Sequence, residues 1–164
     1  MALILKHLQD EKLPVGKFPV ILPEHEVNAL KLLNMGFQTF STADKNVLAH
    51  NFMRLGFVQA SVRAIELGLG TIDSLDKHGD TPLHIAVANE DTAGVLALLR
   101  FLTMQSLHIK NSSGVTARNA ILASKKARST LSTIEKTLQE REANEQELKK
   151  QAAAAAAATS KAKK

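Results

Sequence analysis

Cysteine, tyrosine and tryptophan are absent from this 164-residue chain, and its only aromatic residues are six phenylalanines. Without cysteine, the chain forms no disulfide and offers no thiolate ligand to a metal. No apolar run approaches the roughly 20 residues that cross a membrane as a helix. The N-terminal run of residues 2–5 ends at Lys6, which makes it shorter than the apolar region of a secretory signal. We therefore expect a soluble, cytoplasmic protein.

The sequence also lacks the common signatures of catalysis and metal binding. It contains no Gly-x-Ser-x-Gly elbow and no Gly-x-x-x-x-Gly-Lys-Ser/Thr phosphate loop. None of its six histidines is followed four residues later by another, as one common helical zinc motif requires. We therefore expect no enzyme activity, no cofactor and no bound metal, and we assign structural roles to the histidines.

Charge is divided unevenly along the chain. Residues 1–99 carry eight basic and eleven acidic side chains, whereas residues 100–164 carry thirteen basic and five acidic ones. The last part, residues 142–164, contains an alanine run at 152–158 and ends in lysines, and it has no apolar face to bury. This composition predicts a flexible Ala/Lys-rich tail.

One segment carries a specific pattern. Residues 76–86 read Asp-Lys-His-Gly-Asp-Thr-Pro-Leu-His-Ile-Ala, and residues 95–99 read Val-Leu-Ala-Leu-Leu. Gly79 suits a turn that needs a positive φ. Thr81 suits the N-cap and Pro82 the first position of a helix. His84 lies three residues after Thr81, where its side chain can hydrogen-bond back to the turn.

This segment resembles an ankyrin repeat, whose pattern is Asp-x-x-Gly-x-Thr-Pro-Leu-His-x-Ala followed by Val and Leu-Leu on a second helix. The glycine and threonine recur 35 residues later as Gly114 and Thr116, and weaker matches precede the segment at His50 and Gly68. The resemblance implies an all-α fold, an ankyrin-repeat solenoid of about three to four helix–turn–helix units with short hairpin loops.

The repeat pattern predicts the following boundaries. Helix pairs are expected near 48–55/58–67, 81–89/92–102 and 116–124/126–141. Residues 1–22 are predicted to form an N-terminal helix and a Pro-containing segment, and residues 23–141 the repeat domain. Asn89 can tolerate the left-handed conformation of a turn, where the ankyrin family prefers glycine one residue later, at Glu90, and either Asp91 or Thr92 is expected to cap the next helix. The expected buried residues are Leu83, Val95, Leu98, Leu99, Leu102, Leu131, Ile134 and Leu138.

The resemblance implies a non-enzymatic module that binds a protein partner, with the chain itself monomeric. Ankyrin arrays bind through their hairpin tips and the exposed face of their first helices. The matching hairpin positions in this chain are Asp44, Lys45, Asn46, Asp76, Lys77, His78, Asp80, Lys110, Asn111 and Ser112. The matching first-helix positions are Asn51, Arg54, Ile85, Ala88 and Asn89.

Two other functions remain open. The segment Leu22-Pro-Glu followed by Val27, Leu30 and Leu33 resembles the start of an F-box, and some bacterial effectors secreted into host cells combine an F-box with ankyrin repeats. That resemblance implies an adaptor for ubiquitin ligation. Alternatively, the basic tail binds nucleic acid or an acidic membrane surface, because clustered lysines attract both.

Overall fold

The computed structural model describes residues 23–34 and 42–161, and this part of the chain is all-helical. The prediction of an all-α protein is confirmed there, whereas the helix predicted within residues 1–22 lies outside the described residues. Its α-helices are α1 Pro23–Asn34, α2 Thr42–Arg54, α3 Val58–Glu66, α4 Pro82–Ala88, α5 Thr92–Leu98, α6 Ala117–Ala123 and α7 Leu131–Lys161. Short 3-10 helices lie at Gln105–His108 and Ala127–Thr130.

The helices α4 and α5 form a pair whose ends are set by local capping. The Thr81 hydroxyl accepts a hydrogen bond from the backbone N–H of His84, and Pro82 occupies the first helical position. Asp91, rather than Thr92, caps α5, because its carboxylate accepts the backbone N–H of Gly94 at 2.9 Å. The connection between the two helices is so short that they must run antiparallel.

The left-handed turn after α4 is formed by Glu90 rather than Asn89. Glu90 has a φ of 53°, whereas Asn89 is right-handed with a φ of −76°. The backbone N–H of Glu90 bonds to the carbonyl of Val87, and that of Asp91 bonds to the carbonyl of Ala86. These bonds satisfy the last carbonyls of α4, and the positive φ lies one residue after Asn89.

Buried apolar side chains form two clusters. The N-terminal cluster joins α1, α2, α3 and the turn after α2, through Ala29, Leu33, Leu48, Ala49, Phe52, Phe57, Ala60 and Ala64. The larger cluster runs from Met53 and Val62 through α4, α5 and α6 to Leu138 on α7. Of the predicted core residues, Leu83, Val95, Leu98, Leu102, Leu131, Ile134 and Leu138 are buried, and Leu99 packs half-buried against them.

Two helices are longer than predicted. Helix α2 begins at Thr42, six residues before the expected start, so Val47 is inside the helix instead of at its beginning. Helix α7 extends from Leu131 to Lys161, about 46 Å at 1.5 Å per residue. Every described side chain on α7 from residue 139 to residue 153 is exposed. None of the described helices is both long and apolar enough to cross a membrane.

Candidate functional site

Two turns of the same construction lie 35 residues apart. In the Asp76 turn (residues 76–80), the Asp76 carboxylate accepts the backbone N–H groups of His78 at 2.9 Å and Asp80 at 3.0 Å. In the Asn111 turn (residues 111–115), the side-chain oxygen of Asn111 accepts those of Ser113 at 3.1 Å and Val115 at 3.0 Å. Each turn therefore depends on a side-chain oxygen at its first residue, which mimics a backbone acceptor.

A glycine occupies the same place in both turns. Gly79 and Gly114 each have a φ of 75°, a conformation that a side chain disfavours. The backbone N–H of each glycine bonds to the carbonyl at the start of its turn, at 2.9 Å in both cases. The glycine pattern of the sequence therefore predicted the backbone of both turns.

The helix that follows each turn is capped by threonine. Only in the first of these helices does a histidine side chain connect the helix to the next turn. Thr81 caps α4 and Thr116 caps α6. His84 Nδ1 lies 2.8 Å from the Thr81 hydroxyl, which confirms the predicted bond back to the turn. Its Nε2 lies 3.1 Å from the carbonyl oxygen of Val115 and so joins α4 to the Asn111 turn.

The two turns also contact each other directly. The Asn111 amide donates to the Asp80 carboxylate at 3.1 Å, and the Ser112 hydroxyl donates to the carbonyl of His78 at 2.6 Å. A Cβ added at Gly79 would lie 2.7 Å from Ser112 Cβ and 2.9 Å from its backbone nitrogen. The tips therefore stack on one another, and part of the predicted binding surface is used to hold the turns together.

Arg54 on α2 fixes the Asp76 turn from the other side. Its guanidinium forms a hydrogen-bonded ion pair with Asp76, whose side chain is only 5% exposed, and lies 3.5 Å from the Asp80 carboxylate. Burial raises the pKa of Asp76, but hydrogen bonds from Arg54 and from the backbone outweigh it and leave that pKa below its usual value. The carboxylate therefore stays charged and keeps its partners at neutral pH.

Three predicted contact residues do not lie in a turn. Asp44, Lys45 and Asn46 belong to helix α2, and their side chains are outside the described set. The segment of residues 42–46 contains no glycine, so no residue there readily takes the positive φ of the two turns, and an aspartate near a helix N-terminus stabilises the helix. The expected hairpin at this place is therefore wrong.

The inner-helix candidates differ in exposure. Ile85 is 3% exposed and packs in the larger cluster, so it is not available to a partner. Ala88 and Asn89 are exposed at the end of α4, and the Asn89 amide donates to the carbonyl of Met53 at 2.9 Å. Asn51 on α2 is half-buried. Only part of this face remains for contact with another molecule.

The candidate surface that remains consists of exposed side chains on the two turns and at the end of α4. The predicted contact residues among them are Lys77, His78, Lys110, Ser112, Ala88 and Asn89, and the Asn111 turn also exposes Ser113 and Val115. The carboxylates of Asp76 and Asp80 already have cationic or amide partners within the protein. The surface is therefore a polar ridge whose exposed charged side chains are lysines.

Two long-range contacts were not expected from the sequence. Glu26 on α1 accepts the backbone N–H groups of Gln59 at 2.7 Å and Ala60 at 3.2 Å, and so caps α3, where Phe57 offers no side-chain acceptor. Arg141 on α7 donates to the carbonyls of Leu99 and Arg100, just beyond the end of α5. Both side chains place a charge where it complements the dipole of a helix terminus. Neither contact is marked by a pattern of neighbouring residues in the sequence.

Within residues 23–34 and 42–161, no group of three or more histidine, aspartate or glutamate side chains is arranged to hold a metal ion. No protein-family model matches the chain, and no curated protein or solved structure resembles it at a significant level. The function of the surface is therefore inferred from geometry and sequence pattern alone.

Proposed function

We propose that this chain is a non-enzymatic interaction module of the ankyrin-repeat type that binds a protein partner through its turn tips and the exposed end of α4. The observation that carries the proposal is the equivalence of the Asp76 and Asn111 turns. They share a side-chain acceptor at the first residue, a glycine with a φ of 75° at the fourth and a threonine cap at the sixth. Each is followed by a helix of seven residues.

The stacking of the turns supports a binding role because it preorganises the surface. Arg54, Asp80 and Asn111 form a chain of polar contacts that runs from α2 across both turns. Side chains carried on a fixed backbone lose less freedom when they bind, which leaves more of the interaction energy as affinity. The exposed residues His78 and Lys110 are held in this way.

The ridge fits a partner that offers carboxylates and hydrogen-bonding groups. Lys77 and Lys110 are the charged side chains exposed on the tips, and His78 and Ser112 add groups that form hydrogen bonds. Such a polar surface is typical of reversible recognition rather than of permanent assembly. A protein partner and a monomeric chain are therefore part of the proposal.

The test compares a tip variant with a matched surface variant. The full-length chain is used as bait, captured proteins are identified by mass spectrometry, and the strongest candidate is titrated against each variant. His78→Ala combined with Lys110→Ala removes two exposed side chains and leaves the backbone bonds of both turns in place. We expect this variant to bind at least tenfold more weakly, with an unchanged melting temperature.

The control is Lys125→Ala, which removes an exposed lysine from the connection between α6 and α7, at the other end of the helix pair. It should bind like the unaltered chain. Equal loss in the control and the tip variant, or no loss in either, would contradict the proposal. Asp80 is avoided because its contacts with Arg54 and Asn111 mean that its replacement should also lower stability.

The two alternative functions are separated by the same titration. If the basic tail were the binding element, a chain ending at Arg141 would lose all binding and the tip variant would lose none. We expect the shortened chain to keep its binding, because Arg141 retains its contacts with Leu99 and Arg100. The F-box-like segment is less favoured, since Glu26 is already engaged in capping α3.

A further inference from the structure

Two histidines in the described part of the chain are buried and bond in the same way through Nε2. His84 is 4% exposed and its Nε2 contacts the carbonyl oxygen of Val115 at 3.1 Å. His50 is fully buried and its Nε2 contacts the carbonyl oxygen of Ser74 at 2.8 Å. Because a carbonyl only accepts, Nε2 carries the proton in both rings, and Nδ1 is unprotonated in the neutral form.

The two rings differ at Nδ1. His84 Nδ1 has the Thr81 hydroxyl at 2.8 Å and the Thr81 backbone N–H at 3.4 Å. Three residues before His50 the chain has Val47, which offers no hydroxyl and lies inside α2. His50 Nδ1 is accordingly buried without any hydrogen-bond partner.

Protonation therefore has different consequences at the two sites. A proton on His84 Nδ1 would find the Thr81 hydroxyl as an acceptor, whereas a proton on His50 Nδ1 would create a buried N–H group without one. A buried charged donor that lacks a partner is strongly unfavourable. Opening the structure so that water reaches the ring would remove this penalty.

The charged groups that face His50 do not compensate for its burial. Burial lowers the pKa of His50 below its ordinary value of 6.5. The Ser74 carbonyl and the carboxylates of Asp76 and Asp80 act in the opposite direction, while Arg54 on α2 itself acts in the same direction as burial. The net effect keeps the ring neutral in the closed structure.

His50 lies at the junction between the two core clusters. Its helix, α2, contributes Leu48, Ala49 and Phe52 to the N-terminal cluster, whereas Ser74 lies in the segment that leads into the Asp76 turn. Other polar contacts cross this seam between α1–α3 and the rest of the described chain: the ion pairs of Arg54 with Asp76 and Asp80, the Arg100–Glu66 ion pair at 2.6 Å and the Asn89 bond to the Met53 carbonyl. Met53 and Val62 also join α2 and α3 to the larger cluster. The N-terminal helices α1–α3 are thus joined to the rest of the chain partly through a ring that does not tolerate a proton.

We propose that His50 makes this seam acid-sensitive: protonation of its ring releases helices α1–α3 from the segment of residues 71–80, while helices α4–α7 stay packed. The inference does not depend on what the chain binds. If the proposed binding function also holds, acid would separate Arg54 from the Asp76 turn and so remove one support of the turn tips.

The sign of the effect follows from proton linkage. The opened state takes up a proton as the pH falls below about 6.5, and the closed state does so only at a lower pH. Stability of the seam is therefore complete above that pH and is lost as the pH falls. The opening equilibrium rises by up to about tenfold per pH unit in this window.

Hydrogen exchange of backbone amides in the full-length chain tests the proposal at pH 7.5 and pH 5.5, after correction for intrinsic exchange rates. In the unaltered protein, protection of α2 and α3 should fall by up to about tenfold at the lower pH relative to α4 and α5. His50→Gln keeps an N–H group that can donate to the Ser74 carbonyl but cannot titrate, and it should abolish the difference. His108→Gln, at an exposed histidine, should preserve it.

Two results would overturn the proposal: persistence of the pH effect in His50→Gln, and equal loss of protection in α4 and α5, which indicates global unfolding. If His50→Gln does not fold, an NMR titration of the unaltered chain decides the matter. The His50 ring should then titrate below the ordinary histidine value of about 6.5, and a midpoint at or above that value would exclude an acid-sensitive seam at His50.

Discussion

The unit of residues 76–102 and the unit of residues 111–138 begin alike but continue differently. Equivalent residues of their turns and first helices lie 35 positions apart in the sequence, as the capping residues Thr81 and Thr116 do. In and after their second helices, equivalent buried residues lie 36 positions apart: Val95, Leu98 and Leu102 correspond to Leu131, Ile134 and Leu138. The additional residue lies in the connection, which is a tight turn through Glu90 in the first unit and contains the 3-10 helix Ala127–Thr130 in the second.

The two units also differ in how they meet their neighbours. Helix α4 packs between α2 and α6, and Val87 near its end is 6% exposed. Its counterpart on α6, Leu122, is 37% exposed. Local turn chemistry is thus preserved in both units, whereas burial depends on whether another helix follows. The last unit has a face that no described residue covers.

The substitutions with the largest expected effect test whether equivalent residues of the second helices lie 36 positions apart. Leu98→Ala and Ile134→Ala should each lower the free energy of unfolding by about 2–5 kcal/mol, because both side chains are fully buried. Thr133→Ala, at the position 35 residues after Leu98, should change it by less than about 0.5 kcal/mol because that residue is exposed. Urea denaturation measures all three. A large loss at Thr133 and none at Ile134 would show that the second helices are related by 35 residues.

The next effect compares the two glycines. Gly114→Ala should destabilise by about 1–2 kcal/mol, the cost of a left-handed conformation, because nothing lies within 4 Å of the added Cβ. Gly79→Ala should cost more, since its Cβ would also displace the backbone of Ser112. Thermal and urea unfolding of both variants gives the difference. Equal losses would mean that the two turns do not stack as described.

Loss of the His84 side chain, which connects α4 to the Asn111 turn, should have an effect of similar size. His84→Ala removes contacts with Thr81 and Val115 and should cost about 1–3 kcal/mol, because buried groups lose their partners. At the equivalent position Asn119 is exposed and contributes its backbone N–H to the cap, so Asn119→Ala should stay within about 0.5 kcal/mol. Urea midpoints that fall equally for both variants would contradict the assigned role of His84.

The smallest expected effect is a stabilisation. Glu90→Gly relieves a φ of 53° and should raise stability by up to about 1 kcal/mol. It also removes an exposed ion pair with Lys126 at 3.2 Å, which contributes little. Glu90→Gln serves as the control because it loses the ion pair and keeps the side chain. A melting temperature lower for Glu90→Gly than for Glu90→Gln would show that the turn is not strained.

Much of the fold was predictable because its signals are local. Thr81, Pro82 and the apolar spacing of Val95 and Leu98 identify the helix pair α4 and α5 within two dozen residues of sequence. The start of α2 does not follow the repeat pattern, because Val47, three residues before His50, has no hydroxyl that could cap a helix there. The surface was predicted only in part, since Ile85 is buried and Arg54 pairs with Asp76, facts that depend on neighbours distant in the chain.

The sequence by itself determined the helical class, the two turns, their glycines and the threonine caps, because each depends on atoms within a few residues. Only the tertiary structure decided that Glu26 caps α3, that Arg141 binds two carbonyls just beyond α5 and that the two turns share hydrogen bonds. It also decided that His50 has a buried nitrogen without a partner. These contacts join residues 24 to 42 positions apart or depend on the whole packing around one atom, and no short sequence pattern specifies them.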